Sequence, residues 1–311
     1  MNGKPKGFVP VMLTPFRADG TVDYDGLTRL TELYLEAGAT GLFANCLSSE
    51  MFELSAAERL AVVSHVVGVA SGSVPVVATA TFGGAIGQQA DDLKRMYDTG
   101  IEAAIVITNM LVAEDAADAE FEDRLTALLE TTDSVPLGLY ECPEPFKRVL
   151  SAEQLGKYVD TGRVIYHKDT CLELGLVKAK LAATAHCEAF GLYDAYMVHA
   201  VESLKAGSAG LSCIQGNYFP ELVVWLCANY DNESLAGEVA KVQQFFVEHM
   251  DVMHDLYPLV AKYFLQKRNL PIELFTRKDV GRLNGSVRQA IDGLFADYQQ
   301  LYKSLDVRLV V

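Results

Sequence analysis

A lysine at the end of a short apolar segment is the residue whose type and position most directly suggest chemistry in this chain. The segment Arg163–Cys171 reads R-V-I-Y-H-K-D-T-C, and its Val, Ile and Tyr favour a β-strand. A lysine at the end of a buried strand has poor access to water, which disfavours its charged form and leaves an amine that can attack a carbonyl. We therefore predict that Lys168 forms a Schiff base with a 2-oxo acid. The alternative is a lysine that leaves the strand end to reach solvent.

A tyrosine ends the preceding predicted strand, Val135–Tyr140, in the same way. A hydroxyl close to a Schiff-base lysine can carry protons to and from the substrate oxygen. The alternative for Tyr140 is an aromatic side chain whose hydroxyl is satisfied by a neighbour. The alternation of side chains along a strand predicts that Val164, Tyr166 and Lys168 point to one side.

Short apolar segments alternate with helical ones over the first 230 residues. Eight of these segments are predicted strands: Gly7–Thr14, Gly41–Asn45, Val74–Ala80, Ala103–Thr108, Val135–Tyr140, Arg163–Lys168, His186–Gly191 and Gly210–Ile214. They are continuous apolar runs, as expected for a parallel sheet that is buried on both faces. Eight β/α units of this length predict a closed (β/α)8 TIM barrel. The rival is an open doubly wound sheet, which usually has a glycine-rich phosphate loop after its first strand; T-P-F-R-A-D-G stands there instead.

The intervening segments carry apolar residues at helical spacing, and Ser55 and Glu58 form a capping box at the start of the second helix. The alternation stops near Asn232. Glu233–Gln266 has helical periodicity, Pro271 interrupts it, and Gly285–Leu305 is helical again. We predict a barrel over residues 1–230 and a C-terminal helical extension over residues 231–311 that packs on it.

Composition and charge exclude several classes of partner. The chain has 311 residues, is 50% hydrophobic and carries a formal net charge of −15, which disfavours binding to nucleic acid or to an anionic membrane. We find no apolar run of the roughly 18 residues that a membrane helix needs, and Met1–Gly7 lacks the apolar region of a signal peptide. The six cysteines include no C-x-x-C pair, which is typical of reduced thiols. We expect a cytoplasmic protein.

In a TIM barrel the active site lies at the carboxyl ends of the strands. The segments predicted there are Thr14, Asn45–Glu50, Thr108–Leu111, Tyr140–Pro143, Lys168–Cys171, Gly191–Asp194 and Ile214–Asn217. Tyr166 either fills the barrel centre or takes part in catalysis, His167 is expected to face away from the axis, and Glu50 to support its loop. Four cysteines fall at or near these ends: Cys46, Cys142, Cys171 and Cys213. They are either a redox-sensitive or metal-binding site or small fillers of the barrel mouth.

Five motifs resemble the dihydrodipicolinate synthase / N-acetylneuraminate lyase family of class I aldolases, of which this chain would be a divergent member. They are V-M-L-T-P-F-x-x-D-G-x-x-D (Val11–Asp23), G-A-T-G-L-F-A-N-C-L-S-S-E-M-F-E-L-S-x-x-E-R (Gly38–Arg59), Y-E-C-P (Tyr140–Pro143), H-K-D-T (His167–Thr170) and G-S-A-G-L-S-C-I-Q-G-N-Y-F-P (Gly207–Pro220). The resemblance spans Gly7 to about Leu305, and the motifs stand in the family's order.

The resemblance implies a pyruvate-like 2-oxo acid held on Lys168, with Tyr140 as the general acid and base. The iminium would serve as the electron sink for aldol cleavage, condensation or dehydration, so no metal and no organic cofactor is expected. The substrate carboxylate would lie against the loop after the second strand, where the hydroxyl of Ser48 and the backbone N–H groups of Ser48 and Ser49 are the donors. Leu47 and Ser49 of the same loop are expected to bind the substrate, and Ser48 is also expected to take part in catalysis, as a hydroxyl through which Tyr140 can work.

The resemblance also places Gly191, Asp194 and Ser212 among the residues that bind substrate. For Asp194, the alternative is the N-cap of the following helix. The family usually forms dimers or tetramers, so a homodimer or homotetramer is expected.

Three positions depart from the family's pattern. Leu47 replaces the loop's first threonine, which is a proton-relay hydroxyl, and Thr108–Leu111 lacks the tyrosine that often reaches across a subunit interface. The arginine that dihydrodipicolinate synthases carry past Y-N-x-P falls at Pro145. We therefore predict a Schiff-base lyase, an aldolase or a dehydratase, that acts on a 2-oxo-3-deoxy sugar acid or a related 2-oxo acid, with an aldehyde as a second reactant or product. The alternatives are a dihydrodipicolinate synthase-type condensation and a 2-oxo-acid-binding barrel with weakened catalysis.

Overall fold

The computed structural model describes residues 6–305 of the protein. Within them, eight short parallel strands form the centre of the fold. They are β1 (Gly7–Phe8), β2 (Leu42–Ala44), β3 (Val76–Thr79), β4 (Ala103–Ile107), β5 (Leu137–Tyr140), β6 (Val164–Asp169), β7 (Gly191–Asp194) and β8 (Gly210–Leu211). From β2 to β8 each strand pairs with the next, and β8 pairs with β1. Val11, just past β1, pairs with Phe43 of β2 and closes the ring. The predicted (β/α)8 barrel is confirmed.

A helix follows each strand and covers the outside of the ring. These helices are α1 (Tyr24–Glu36), α2 (Ala56–Ala70), α3 (Ile86–Tyr97), α4 (Asp118–Thr131), α5 (Ala152–Val159), α6 (Leu174–Thr184), α7 (Ala200–Ala206) and α8 (Pro220–Asn229). The predicted capping box is present at α2, where Ser55 Oγ accepts from the backbone N–H of Glu58 and the Glu58 carboxylate accepts from that of Ser55. These two hydrogen bonds satisfy N–H groups that the start of the helix would otherwise leave unpaired.

The strands are apolar throughout because both of their faces are buried. One core lies inside the ring and includes Phe43, Ile105 and Tyr166, and a second core lies between the strands and the helices. Val164 packs in the second core, although alternation predicted it on the side of Lys168. The pairing of β5 with β6 skips Ile165, and this bulge reverses the alternation below it.

The seventh strand lies later in the chain than the sequence predicted. Residues 186–190 form a turn after α6, in which Cys187 N–H donates to the Thr184 carbonyl and Phe190 N–H to the Cys187 carbonyl. The prediction of a strand over His186–Gly191 is therefore wrong, and Gly191 begins β7 instead of ending it. The helix predicted from Asp194 begins only at Ala200.

Four further helices form the C-terminal part: α9 (Ala236–Glu248), α10 (Met250–His254), α11 (Leu259–Lys267) and α12 (Gly285–Ser304). The helical stretch predicted over Glu233–Gln266 is interrupted before Pro258, because a proline disfavours helical backbone at the residue that precedes it. The part packs on the barrel through buried pairs such as Arg268 with Glu221, 3.2 Å apart. Among residues 6–305, no helix combines the length and the apolar character needed to cross a membrane. Residues 1–5, which include most of the segment for which no signal peptide was expected, lie outside the described residues.

Candidate active site

Two neighbouring strands bring Lys168 and Tyr140 together at the carboxyl end of the barrel. Lys168 of β6 pairs directly with Tyr140 of β5, and the Lys168 ammonium lies 4.4 Å from the centre of the Tyr140 ring and 5.8 Å from that of Phe43. Lys168 is only 5% exposed. The structure therefore places this amine inside the barrel and not in solvent, as the Schiff-base prediction requires.

Burial determines the protonation of both groups. Loss of hydration lowers the pKa of the Lys168 amine below its usual value of 10.5, because a buried ammonium loses its solvation. Burial raises the pKa of the Tyr140 hydroxyl well above its usual value, and the neighbouring Cys142 thiol adds to the shift. The pair thus combines an amine that deprotonates readily with a phenol that keeps its proton at neutral pH.

The loop after β2 presents a serine hydroxyl to the same end of the barrel. Leu47–Ser49 forms one 3₁₀ turn, in which Ser48 is 4% exposed. Ser49 does not match its predicted role, because its N–H donates to the Cys46 carbonyl at 2.9 Å and its hydroxyl to the Met12 carbonyl at 2.6 Å. Both donors of Ser49 thus hold the loop in place. Leu47 packs against the core inside the ring and can offer a substrate only apolar surface.

Glu50 supports this loop, as predicted. Its backbone lies in the left-handed region at φ 56°, and its carboxylate accepts from the Lys262 ammonium at 2.9 Å. The same carboxylate accepts from the backbone N–H groups of Arg277 and Lys278 at 2.6 and 3.0 Å. The carboxylate therefore ties the loop to the C-terminal part of the chain.

The aromatic residues of β6 and β7 fill the barrel beneath Lys168. Tyr166 stacks on Tyr193 with ring centres 4.9 Å apart, and the Tyr166 hydroxyl lies 3.3 Å from the hydroxyl of Ser212. Ser212 is fully buried, so its hydroxyl is occupied within this layer. Of the two interpretations of Tyr166, the contacts favour the barrel filler.

Asp194 and Gly191, both predicted to bind substrate, have other contacts. The Asp194 carboxylate is buried and accepts from the Tyr196 N–H and from the His199 ring, each at 2.9 Å. It therefore anchors the turn that precedes α7, which is close to the capping alternative. Gly191 pairs with Tyr166 at the start of β7 and lines a cavity of about 750 Å³ at the amino ends of the strands. The prediction for Gly191 is wrong, because the misplaced strand put this residue at the opposite end of the barrel.

The structure adds a tyrosine that the sequence analysis missed. Tyr257 lies between α10 and α11, and its hydroxyl oxygen accepts from the Asn217 amide at 2.6 Å. Burial raises the pKa of the Tyr257 hydroxyl above its usual value. The Tyr257–Pro258 dipeptide within a supposed helix was the signal that could have revealed this turn.

A buried charged cluster lies on the outer side of the strands that carry Lys168 and Tyr140. It consists of Glu141, His167, Asp169 and Lys180, all fully buried, and we call it the quartet. The Lys180 ammonium lies 2.6 Å from Glu141 and 2.7 Å from Asp169. His167 lies 3.5 and 3.6 Å from the same carboxylates and faces away from the barrel axis, as predicted.

The charges of the quartet compensate one another. Burial alone would raise the pKa of Asp169, but His167 and Lys180 outweigh it and hold this pKa below its usual value. Burial likewise opposes the charged forms of Lys180 and His167, and the two carboxylates raise both pKa values. Glu141, His167 and Asp169 are spaced closely enough for a metal ion, but the ammonium of Lys180 already supplies the cation there.

Three of the cysteines near the site, Cys142, Cys171 and Cys213, are neutral thiols. Burial raises the pKa of Cys142 to about 11 and that of Cys213 to about 12. Cys171 is shifted to about 12 for the same reason. Because reactive cysteines need a lowered pKa, these values favour the interpretation of the thiols as small fillers.

Comparison of the sequence with known proteins identifies the same family that the five motifs resemble. The sequence model of the dihydrodipicolinate synthetase family matches residues 4–295. The 4-hydroxy-tetrahydrodipicolinate synthase of Ruegeria pomeroyi is 28% identical over 302 residues, covering 92% of this chain and 96% of the relative. That of Stenotrophomonas maltophilia strain K279a is 26% identical over 298 residues, covering 95% and 97%.

Solved structures share the fold. YagE from E. coli K12, a prophage protein solved in complex with pyruvate, superposes with a TM-score of 0.83 at 21% identity, over 96% of this chain and 98% of its own. CdNal from Clostridium difficile, solved in complex with mannosamine, gives a TM-score of 0.82 at 15% identity, over 95% and 99%. At these identities the likeness establishes a common architecture.

Proposed function

Because this chain belongs to the dihydrodipicolinate synthetase family, we propose that it is a class I lyase in which Lys168 forms a Schiff base with a pyruvate-like 2-oxo acid. The preferred substrate class is a 2-oxo-3-deoxy sugar acid or a related compound. The observation that carries the proposal is the buried Lys168 amine with its lowered pKa, paired across two strands with Tyr140.

The two groups divide the proton transfers between them. The neutral amine of Lys168 attacks the 2-oxo carbon, and one proton of the amine passes to the former carbonyl oxygen. Tyr140 gives this oxygen its second proton, so that it leaves as water and an iminium and a phenolate remain. The phenolate then removes the proton from the hydroxyl on the fourth carbon. The bond between the third and fourth carbons breaks, its electron pair moves into the iminium, and an aldehyde departs. Protonation and hydrolysis of the resulting enamine release pyruvate and restore the lysine.

The basic residues after the Y-E-C-P motif favour a substrate with one carboxylate. The Lys147 ammonium donates to the Thr170 carbonyl at 2.8 Å, and the Arg148 guanidinium binds the Ala116 carbonyl and the Asp118 carboxylate. The Arg148 guanidinium is thus occupied within the protein and is not offered to a second substrate carboxylate, whereas Lys147 is exposed. The alternative, a dihydrodipicolinate synthase-type condensation, is supported by the names of the curated relatives.

Borohydride trapping tests the proposal. Incubation with pyruvate and borohydride should add the mass of one reduced pyruvate, and peptide mapping should locate it on Lys168. Lys168→Ala should gain no adduct, whereas Lys178→Ala, which removes an exposed lysine of α6, should trap normally. An unmodified Lys168 in the parent protein would refute the Schiff-base mechanism. Product analysis with a panel of 2-oxo-3-deoxy sugar acids, and with pyruvate plus aspartate semialdehyde, then separates the two reactions.

A further inference from the structure

Lys278 joins the loop after β2 to the loop after β5 at the carboxyl end of the barrel. Its backbone N–H donates to the Glu50 carboxylate at 3.0 Å, and its ammonium donates to the Glu144 carboxylate at 2.5 Å. Ser48 lies two residues before Glu50, and Tyr140 lies four residues before Glu144. Because β3 and β4 lie between β2 and β5 in the sheet, Lys278 spans one side of the barrel mouth, close to the residues that are proposed to hold and convert the 2-oxo acid.

The Glu144–Lys278 pair keeps hydrogen-bonding capacity that a neighbouring contact of the same segment has used. The Arg277 guanidinium is held by two contacts with the Glu58 carboxylate, at 2.9 and 2.6 Å. Among residues 6–305, the Lys278 ammonium and the Glu144 carboxylate have only each other as hydrogen-bond partners, and their side chains are 37% and 44% exposed. Since an ammonium has three hydrogens and a carboxylate accepts through two oxygens, both groups can bind a ligand without breaking their own contact.

Hydroxyl groups match such a pair. A hydroxyl both donates and accepts a hydrogen bond, so neighbouring hydroxyls of one ligand can accept from the ammonium and donate to the carboxylate. The two opposite charges lie 2.5 Å apart, and their fields largely cancel at a distance. A second carboxylate on the substrate would therefore gain little attraction from Lys278 and would be repelled by Glu144. This chemistry favours a neutral polyhydroxylated group over an anionic one.

We propose that Glu144 and Lys278 are specificity-determining residues, which bind the hydroxyls on the fifth and sixth carbons of a 2-oxo-3-deoxy sugar acid held on Lys168. This inference rests on the proposed Schiff-base function and deepens it. The second, third and fourth carbons react at Lys168 and Tyr140, which are buried, so the carbons beyond them extend toward the mouth, where the pair is exposed. The pair takes the role that was predicted for Asp194, whose carboxylate is occupied inside the protein.

The test compares two substrates that differ beyond the fourth carbon. Both 2-oxo-3-deoxygluconate and 4-hydroxy-2-oxopentanoate yield pyruvate on cleavage, but only the first has hydroxyls on its fifth and sixth carbons. In Lys278→Met, the ratio of kcat/KM for the first substrate to that for the second should fall about 10-fold, as expected for a lost hydrogen bond to a charged group. Glu144→Gln, which keeps an acceptor but loses the charge, should lower the ratio about 3-fold. Pyruvate trapping should be unchanged in both variants, because pyruvate has no carbon beyond the third.

Lys267→Met is the matched control, because it removes an ammonium of the C-terminal part that is paired with Asp292 at 2.7 Å, and it should leave the ratio unchanged. An unchanged ratio in Lys278→Met would overturn the inference; if that variant does not fold, an unchanged ratio in Glu144→Gln overturns it instead. An equal loss for the two substrates would also overturn it, since the pair would then only support the loops. So would a parent protein that traps pyruvate without preferring the hydroxylated substrate. Failure of the parent protein to trap pyruvate at all would refute the proposed function and is a separate result.

Discussion

Replacement of Lys180 by methionine tests whether the charges of the quartet stabilise the two strands that carry Lys168 and Tyr140. Methionine keeps an unbranched side chain but removes the ammonium that lies 2.6 Å from Glu141 and 2.7 Å from Asp169. All three side chains are fully buried, so water cannot replace the lost cation. Only His167 would remain near the two carboxylates.

The expected loss of stability in Lys180→Met is large. Removal of one partner from a buried ion pair destabilises a protein by about 3–5 kcal/mol. At about 2 °C per kcal/mol for a chain of this size, the melting temperature should fall by about 6–10 °C at neutral pH. Lys178→Met is the matched control, since Lys178 lies on the same helix but is exposed, and it should change the unfolding free energy by less than about 0.5 kcal/mol.

The pH dependence provides a sharper criterion. The pKa of Asp169 is lowered in the folded protein, so its contribution to stability is present above its unfolded pKa of about 3.9 and is lost as the pH falls through the lower folded value. In Lys180→Met, the carboxylates of Glu141 and Asp169 lack the Lys180 ammonium and repel each other. Protonation of a carboxylate relieves this repulsion, so the variant regains stability as the pH falls. The stability difference between parent and variant should therefore narrow as the pH falls toward about 4.

Calorimetric melting of both proteins between neutral pH and pH 4 measures this difference. A loss below about 1 kcal/mol at neutral pH would show that the quartet behaves as a surface pair. A loss that stays constant with pH would show that the methionine acts through packing and not through charge. Either result would refute the electrostatic reasoning.

Two further predictions concern the proposed catalytic pair, Lys168 and Tyr140. Tyr140→Phe should lower kcat by about 10²- to 10⁴-fold, the usual contribution of a general acid–base group, while the extent of pyruvate trapping at equilibrium changes little. Steady-state rates and intact-mass trapping measure these two quantities. Equal losses in both would contradict a proton-transfer role for Tyr140. Because burial lowers the pKa of Lys168, the rate of imine formation should rise with pH and level off below pH 10.5. Stopped-flow measurement of this rate as a function of pH checks the prediction. A midpoint of the rate increase at or above pH 10.5 would contradict it.

The sequence predicted the barrel well because its evidence is local. A strand buried on both faces must be apolar over its whole length, and each strand needs a helix to cover it. The seventh strand was misplaced because His186–Gly191 contains apolar residues that pack in a turn, while Gly191–Asp194 ends in a polar residue that resembled a helix cap. That single shift produced the wrong prediction for Gly191.

The parts of the site that were missed depend on contacts between distant residues. Tyr257 meets Asn217, which follows β8, only because the C-terminal helices return to the barrel. Lys180 lies in a helix whose sequence offers no sign that its ammonium enters the space between Glu141 and Asp169. The alternation of β6 indicated only that His167 faces outward, not what it would meet there. Pairings of this kind follow from the packing of whole elements, which a pattern within one segment does not encode.

The contrast between two lysines of one β/α unit explains why only one of them is the proposed nucleophile. Lys168 and Lys180 are both buried, and burial by itself would lower the pKa of each. Around Lys180, two carboxylates outweigh this effect and raise its pKa, so its amine stays protonated. Around Lys168, the neighbours are aromatic rings and cysteines, and the effect of burial on its pKa outweighs theirs. Since His167 and Asp169 flank Lys168 but point the other way, strand alternation keeps the acids of the quartet away from the Lys168 amine.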